Sequence, residues 1–232
     1  MIYHVLTLFP EMIQEAVSHS ILGRAIRVGH IGVNCVNIRD FAVNKHGQVD
    51  DAPYGGGAGM VLMAPPVYDA YQHVLETIQS RTPSRPPLIY LSPQGRVLTQ
   101  KIAEEIAQSR EIILLCGHYE GLDERIIEEI VTDEISIGDY VLTGGEPAAL
   151  VLMDAVSRLV PGVLGKADSF KDESFSEGLL EYPHYTRPPV FRQKAVPEVL
   201  VSGHHGRIEA WRKAQSLERT RAKRPDLLPR EG

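Results

Sequence analysis

Three glycine-containing segments, each directly after a short apolar run, carry the residues whose types and spacing could do chemistry. They read SPQG (92–95), GHYEG (117–121) and GDYVLTGGE (138–146). Glycine lets the backbone approach a ligand closely and can present several N–H groups to it. The segments contain no lysine or arginine, and their acids are Glu120, Asp139 and Glu146. Phosphate would therefore bind poorly, whereas a cationic or neutral ligand, such as a methylsulfonium, would fit.

A fourth segment, PYGGGAGM (53–60), is the richest in glycine. It is not a phosphate-binding P-loop, because no Gly-Lys-Ser/Thr follows at the required spacing. It does not match G-x-G-x-x-G either, because Leu62 stands three residues after Gly59. Two interpretations stay open at this point: a segment that a ligand approaches closely, or a plain flexible loop.

The sequence contains no motif typical of metal-dependent catalysis or of a serine nucleophile. His204 and His205 are adjacent and cannot easily bind one ion together, and no HExxH or CxxC occurs, so no metal site is predicted. The absence of GxSxG disfavours hydrolysis through a serine nucleophile. The two cysteines, Cys35 and Cys116, lie far apart, which indicates buried thiols in a reducing cytoplasm.

The elements that position these segments alternate between strands and helices. Strands are predicted at 2–7, 32–38, 88–91, 112–116 and 134–137, helices at 10–27, 66–79, 98–108, 123–130 and 146–159, and a loop at 50–59. Such alternation is typical of an α/β fold with a largely parallel sheet. Ligands of these sheets bind beyond the carboxyl ends of the strands, where the three glycine segments fall.

The C-terminal part of the chain has a different character. Residues 161–177 lose the strand–helix pattern and indicate a linker or a mobile functional loop. A helix is predicted at 206–218, and residues 207–230 contain eight lysine or arginine residues against three acids, although the whole chain has a formal net charge of -6. This asymmetry favours a polyanion as partner, and a merely solvated helix is the alternative.

Composition sets the class of protein. The 232 residues are 43% hydrophobic and 23% charged, which is ordinary for a globular protein of one or two domains and excludes disordered, collagen-like and disulfide-rich classes. The longest apolar run, 148–153, stops at Asp154 and is too short to span a membrane. The N-terminus lacks the features of a signal peptide. A cytoplasmic protein is therefore expected.

Together, the segments resemble the bacterial tRNA (guanine-N1)-methyltransferase family of the knotted SPOUT class. The motifs that carry the resemblance follow one another in this order: LTLFPEM, PYGGGAGM, YLSPQG, GHYEGLDER, SIGDYVLTGGE, VPGVLG, LLEYPHYTRP, VSGHH and SLERTRAKRPDLL. The resemblance implies an α/β SPOUT domain over 1–160 with a C-terminal trefoil knot, a linker and active-site loop over 161–178, and a small helical tRNA-binding domain over 179–232. It also implies a homodimer with its active sites at the subunit interface.

The family transfers a methyl group from S-adenosylmethionine to N1 of guanosine 37 of tRNA, immediately 3′ to the anticodon. By resemblance, the methyl donor would bind Tyr90, Leu91, Ser92, Pro93, Gln94, Gly95, Gly117, Tyr119, Glu120, Gly121, Ile137, Gly138, Asp139, Tyr140, Val141, Leu142, Gly144, Gly145 and Pro147. The tRNA would contact Gly59, Arg187, Arg212, Arg219, Arg221 and Lys223. The sequence leaves a requirement for Mg²⁺ and the choice of tRNA isoacceptors open.

Methylation of guanine N1 requires both a general base and a cation. The neutral nitrogen carries a proton, so a general base must remove it, and a cation must stabilise the charge that develops at O6. Arg158 matches the family's catalytic arginine; a cation at a helix C-terminus is its alternative role. The family's aspartate precedes Ser-Phe, five residues before the glycine of GLL. That spacing leads to Glu173, with Asp168 and Asp172 as alternatives.

Two other functions remain open from the sequence. One is a regulatory module that binds a nucleotide in the glycine segments and RNA on its basic helix without catalysis. The other is a SPOUT enzyme that modifies a different base.

Overall fold

A computed structural model describes residues 1–79, 85–165, 173–175 and 178–229 of the chain. The chain separates into two units, Met1–Gly165 and Lys166–Gly232. The first unit contains the sheet with the three glycine segments, and the second contains the basic helix. Half of the predicted linker over 161–178, including Asp168 and Asp172, lies outside the described residues.

The first unit is built on a parallel sheet. Its strands are β1 (Ile2–Thr7), β2 (Gly32–Asn37), β3 (Asp50–Asp51), β4 (Val61–Leu62), β5 (Leu88–Val97), β6 (Glu111–Cys116) and β7 (Asp133–Ser136). Five of them pair in the order β2-β1-β6-β5-β7, and every pairing is parallel. The α/β class with a parallel sheet is thus confirmed, and the carboxyl ends of β5, β6 and β7 lie side by side.

Helices cover both faces of this sheet. They are α1 (Pro10–Val17), α2 (Ser20–Arg27), α3 (Ala64–Gln79), α4 (Gln100–Ile106), α5 (Glu124–Ile130) and α6 (Glu146–Ser157). Because side chains alternate along a strand, Leu114 packs in the core under α1, α2, α4 and α6, and Leu115 in the core under α3 and α5. The near-continuous apolar strands follow from this burial on two faces.

Three predicted elements differ from the structure: the helix over 10–27, the loop over 50–59 and the turn over 92–95. The single helix over 10–27 is wrong: α1 ends at Val17 and α2 begins at Ser20, whose φ is 54°. A Cβ on Gly23 would overlap the carbonyl of Ser18, so glycine lets α2 fold back sharply against the end of α1. The predicted loop 50–59 instead contains β3, which pairs with β4 in an antiparallel hairpin.

The SPQG segment is a bulge inside β5 rather than a turn after it. Leu91 and Arg96 both pair with Ile135 of β7, so residues 92–95 are extra in the register. A Cβ on Gly95 would lie 2.5 Å or less from backbone atoms of Glu134 and Ile135. Glycine is therefore required for β5 to rejoin β7 after the bulge.

The second unit carries little core. Its elements are β8 (Val190–Phe191), β9 (Lys194–Ala195), α7 (Glu198–Val201) and α8 (His205–Lys223). The predicted helix at 206–218 thus extends to Lys223, and Thr220 is its only buried residue. The Thr220 hydroxyl accepts the Leu180 N–H at 2.9 Å and donates to the Ser216 carbonyl at 2.7 Å. One polar side chain therefore ties α8 to the segment that leads into it.

Of the two cysteines, Cys116 is buried and Cys35 is only half-buried, and burial raises the pKa of the Cys35 thiol to about 11. Both thiols are free.

Within the described part of the chain, no helix is long and apolar enough to cross a membrane.

Candidate active site

A cleft opens at the bulge of β5 and the carboxyl ends of β6 and β7, where the three glycine segments meet. Its lining comprises Tyr90, Leu91, Ser92, Pro93, Gly117, His118, Tyr119, Glu120, Gly121, Ile135, Ser136, Ile137, Gly138, Tyr140, Val141, Leu142, Thr143, Gly144, Gly145 and Ala148. Fifteen of the nineteen residues predicted to bind the methyl donor are among them. A ligand site at this edge of a parallel sheet is the expected location.

The second and third segments are joined through their backbones. The Gly145 N–H donates to the Gly117 carbonyl at 2.8 Å, and His118 forms an antiparallel bridge with Gly144. A Cβ on Gly145 would lie 2.7 Å from the Cα of Cys116 and 2.8 Å from the nitrogen of Gly117. These are backbone atoms that cannot move aside, so only glycine allows the two segments to meet at the end of β6.

Tyr90 forms part of the cleft wall. Its side chain is buried, and burial raises the pKa of its phenol to about 12, with Glu134 adding to the effect. A Cβ on Gly117 would come within 2.9 Å of the Tyr90 ring. The ring is therefore a neutral, flat surface pressed against the second segment at neutral pH.

The charge of the cleft is slightly acidic. Among the described residues that line it, none is lysine or arginine, and Glu120 is the one carboxylate. Glu120 lies against Gly59, where an added Cβ would overlap its carboxylate, and the Glu120 N–H donates to the Met60 carbonyl at 3.0 Å. The PYGGGAGM segment is thus connected to the second glycine segment, beside the cleft.

Two of the three acids of the glycine segments, Asp139 and Glu146, are absent from the cleft lining. Glu146 is buried, its carboxylate lies 2.7 Å from Nε2 of His118, and it accepts a hydrogen bond from the Thr7 hydroxyl. Phe9 packs its ring 5.1 Å from that of His118. Glu146 is therefore engaged within the protein, because protein groups already occupy both of its oxygens.

Four predicted donor-site residues lie outside the cleft lining. Gln94 and Gly95 lie in the bulge of β5, beside Arg96 and Asp133 on the outer edge. Asp139 and Pro147 are also absent from the lining. The sequence reasoning missed His118, Ile135, Ser136, Thr143 and Ala148, all within or next to the glycine segments. Contiguity with those segments was the signal that could have found them.

The predicted catalytic residues lie in separate units of the chain. Arg158 is half-buried at the end of α6, where its N–H donates to the Asp154 carbonyl at 3.2 Å. Glu173 is half-buried and belongs to the second unit. The alternatives Asp168 and Asp172 lie outside the described residues.

The predicted tRNA-binding residues of the second unit are largely solvent-exposed. Arg187, Arg212, Arg221 and Lys223 are exposed, and Arg219 is half-buried. The guanidinium of Arg212 lies 4.7 Å from the Tyr182 ring centroid. Helical spacing places Arg212, Arg219 and Lys223 on one face of α8, whereas Arg221 points away from that face. The basic helix therefore offers two distinct surfaces.

Among the residues that the structure describes, no group of three or more His, Cys, Asp or Glu side chains could hold a metal ion.

Comparison with known proteins gives one consistent result. A family model described as tRNA (Guanine-1)-methyltransferase TrmD matches residues 1–230. A protein of Ruminiclostridium cellulolyticum named tRNA (guanine-N(1)-)-methyltransferase is 59% identical over 226 residues, which cover 97% of this chain and 95% of the relative. Proteins of the same name from Caldicellulosiruptor saccharolyticus (57% identity, 98% and 90% covered) and Clostridioides difficile (54% identity, 97% and 96% covered) are also similar. The similarity extends over both units.

Proposed function

Because the chain belongs to the tRNA (guanine-1)-methyltransferase TrmD family, it is a tRNA methyltransferase, and we propose that it methylates N1 of guanosine 37, 3′ to the anticodon. S-adenosylmethionine is the methyl donor that this family implies. The observation that carries the proposal is the cleft formed by the three glycine segments at the bulge of β5 and the carboxyl ends of β6 and β7.

The residues of the cleft suit that donor. Its walls combine closely packed backbone with the flat Tyr90 ring, which together fit an adenosine. The lining lacks lysine and arginine among the described residues and contains Glu120, which favours a cationic sulfonium over a phosphate. When bound, S-adenosylmethionine supplies an electrophilic methyl group, and the glycine segments orient it.

Two side chains would act on the guanine. Glu173 would accept the N1 proton, which exposes the nitrogen lone pair for attack on the methyl group. Arg158 would donate to O6 as negative charge develops there, a task suited to a guanidinium because it stays charged. We retain Asp168 and Asp172 as the alternative bases. The tRNA would contact Gly59, beside Glu120, and the basic residues of α8 and Arg187.

The remaining features of the proposal come from the family resemblance. They are the trefoil knot, the cytoplasmic location, the division into a SPOUT domain (1–160), a linker (161–178) and a helical tRNA-binding domain (179–232), and a homodimer. In that dimer the linker and C-terminal domain of one subunit complete the active site of the other. A requirement for Mg²⁺ is settled by assaying the purified enzyme with and without a chelator.

The test is to incubate the purified protein with tRNA transcripts and methyl-labelled S-adenosylmethionine and to map the modified nucleotide. We expect label at N1 of guanosine 37, and none in a matched transcript with adenosine at that position. Label at another base would make the protein a different tRNA-modifying enzyme. Donor binding without transfer to any tRNA would favour the regulatory module.

The composite dimer has its own experiment. Arg158→Ala and Glu173→Gln subunits are each expected to be inactive. If each site takes Arg158 from one subunit and Glu173 from the other, a mixed dimer contains one intact site and one doubly altered site. Co-expressed subunits with two affinity tags should therefore regain activity. A mixed dimer as inactive as its parents would place both residues of a site on one subunit.

A further inference from the structure

Glu146 is a carboxylate that the protein buries next to its ligand cleft without exposing it there. The residue is 1% exposed and begins α6, directly after Gly144 and Gly145 of the third glycine segment. It is absent from the cleft lining. Any effect that it has on a ligand must therefore pass through the groups that it contacts.

Both carboxylate oxygens have partners from other parts of the chain. Nε2 of His118, in the second glycine segment, donates to Oε2 at 2.7 Å. The Thr7 hydroxyl, at the end of β1, donates to Oε1 and itself accepts the Phe9 N–H at 2.9 Å. One carboxylate thus joins the third segment to the second segment and to the sheet.

Such burial is unfavourable unless the charge is fully hydrogen-bonded. A buried ion pair is weak evidence of a role in stability, since apolar residues of similar volume often stabilise a protein as well or better. The hydrogen bonds of Glu146 instead hold the surrounding segments in one arrangement. That arrangement is the one that forms the cleft.

His118 is the group through which Glu146 would act. Its side chain is 13% exposed and lines the cleft. A Cβ on Gly144 would overlap the His118 ring and come within 2.7 Å of Oε2 of Glu146. The His118 ring and the Glu146 carboxylate therefore pack directly against Gly144 of the third segment, where glycine leaves room for them.

We propose that Glu146 is a positioning residue of the methyl-donor site, which holds His118 so that the second and third glycine segments form the two facing walls of the cleft. This inference rests on the proposed function, because it takes the cleft to be the donor site. It predicts that loss of the carboxylate weakens donor binding while leaving tRNA affinity unchanged.

Two variants separate hydrogen bonding from charge. Glu146→Ala removes both acceptors and leaves His118 without its partner. Glu146→Gln keeps the shape and the bond from His118, which the amide oxygen can accept. Its amide nitrogen can donate to Oγ1 of Thr7, so the bond to Thr7 is reversed and the Thr7 hydroxyl loses Glu146 as its acceptor. A positioning role requires that glutamine restore most of the binding that alanine loses.

A matched control lies in the same sheet. His4 and Glu111 form a second, partly buried histidine–glutamate pair, with Nε2 and Oε2 3.4 Å apart. Glu111 begins β6, at the opposite end of the strand from the cleft. Glu111→Ala should therefore lower the melting temperature without changing donor binding.

The measurement is titration calorimetry of the full chain with S-adenosylhomocysteine, together with KM for each substrate and a melting curve for each variant. We expect Glu146→Ala to raise the dissociation constant about tenfold, the loss of roughly one or two net hydrogen bonds. KM for the methyl donor should rise in parallel, while KM for tRNA stays within experimental error. Glu146→Gln should bind nearly as tightly as the wild type.

Three results would overturn the proposal. They are a folded Glu146→Ala with wild-type affinity, a Glu146→Gln as weak as the alanine variant, and an equal loss in Glu111→Ala. If Glu146→Ala does not fold, His118→Ala provides the test, because it must show the same selective loss of donor affinity. A wild-type protein that does not bind S-adenosylhomocysteine would instead refute the proposed function.

Discussion

The two units of the chain present their candidate ligand surfaces by opposite means. In the first, a sheet covered on both faces brings backbone segments together so closely that Gly95, Gly117 and Gly145 have no room for a Cβ. In the second, α8 buries only Thr220 and exposes basic side chains to solvent. Substitutions in the first unit should therefore act through packing and geometry, and those in the second through charge and salt.

The largest effects should come from the residues that would do the chemistry. Glu173→Gln keeps the shape of the side chain but cannot accept the N1 proton, so methyl transfer should slow by ~10²–10⁴-fold. Arg158→Ala removes the cation proposed to face O6 and should slow transfer by ~10²–10³-fold. Single-turnover rates across pH distinguish the two, because raising the pH ionises guanine N1 without a base and should partly rescue only Glu173→Gln.

Donor binding is the control for both variants, since neither residue lines the cleft. Asp168→Asn and Asp172→Asn should remain near wild type. If one of them were inactive while Glu173→Gln transferred methyl groups normally, the spacing argument for Glu173 would be wrong.

Two glycine substitutions test whether close packing distinguishes the first unit from the second. Gly145→Ala forces a methyl group against backbone of Cys116 and Gly117, so it should destabilise the first unit by about 1–3 kcal/mol. It should also weaken donor binding at least tenfold. Gly206→Ala in α8 meets nothing within 4 Å and should be neutral or stabilising by up to ~1 kcal/mol. Thermal melting and calorimetry measure both. Equal behaviour of the two variants would remove the distinction between the units.

The charge half of the comparison predicts a salt-dependent effect. Replacing Arg219, Arg221 and Lys223 together by glutamine should weaken tRNA binding and lower the slope of log affinity against log salt. Each lost phosphate contact removes ~0.7–0.9 from that slope, and donor affinity should not change.

The faces of α8 sharpen this experiment. Arg219 and Lys223 lie four residues apart on one face, and Arg221 points elsewhere. Arg219→Gln with Lys223→Gln is therefore compared with Arg221→Gln alone, to find which face meets the tRNA. An unchanged slope in the triple variant would identify the basic helix as a solvated surface.

The sequence predicted the sheet well because burial on two faces leaves a strong signal. Runs such as ILLC, at the end of β6, are typical of strands that are buried on both faces. The break between α1 and α2 left no such signal, because Ile13 and Ala25 point into the same core and the apolar pattern continues across it. The positive φ of Ser20 accompanies the fold-back that Gly23 permits against Ser18, a backbone feature that the apolar pattern does not record.

The cleft was predictable in outline and not in detail. Glycine after consecutive strands placed the three segments at one edge of the sheet, and 14 of the 20 lining residues lie within those segments. The burial of Glu146 was not predictable, because its partners Thr7 and His118 are 139 and 28 residues away in the chain. Periodicity reports which face is buried, not which polar groups meet there.

The smallest expected effect concerns two aspartate–arginine pairs with the same spacing, one in each unit. Asp123 accepts hydrogen bonds from the N–H of Arg125 at 3.0 Å and from its guanidinium, and it is the N-cap of α5. Asp226 accepts from the Arg224 guanidinium at 2.7 Å, after the end of α8, and caps no helix. The arginine beside each carboxyl lowers its pKa below the usual value of 3.8.

Asp123→Ala should cost about 1 kcal/mol, the typical value of an N-cap, because its side chain is only 22% exposed and satisfies a helix N–H. Asp226→Ala should leave stability unchanged, because the 60% exposed side chain forms a solvent-screened pair.

A lowered folded-state pKa means that the contribution of Asp123 is present above its usual pKa and is lost as the pH falls through the lower, folded value. Urea melts at pH 7 should therefore separate Asp123→Ala from the wild type, and the gap should close in acid only below pH 3.8. If Asp226→Ala lost as much as Asp123→Ala at pH 7, the ion pair rather than the helix cap would carry the energy, and the two units would differ less than their packing indicates.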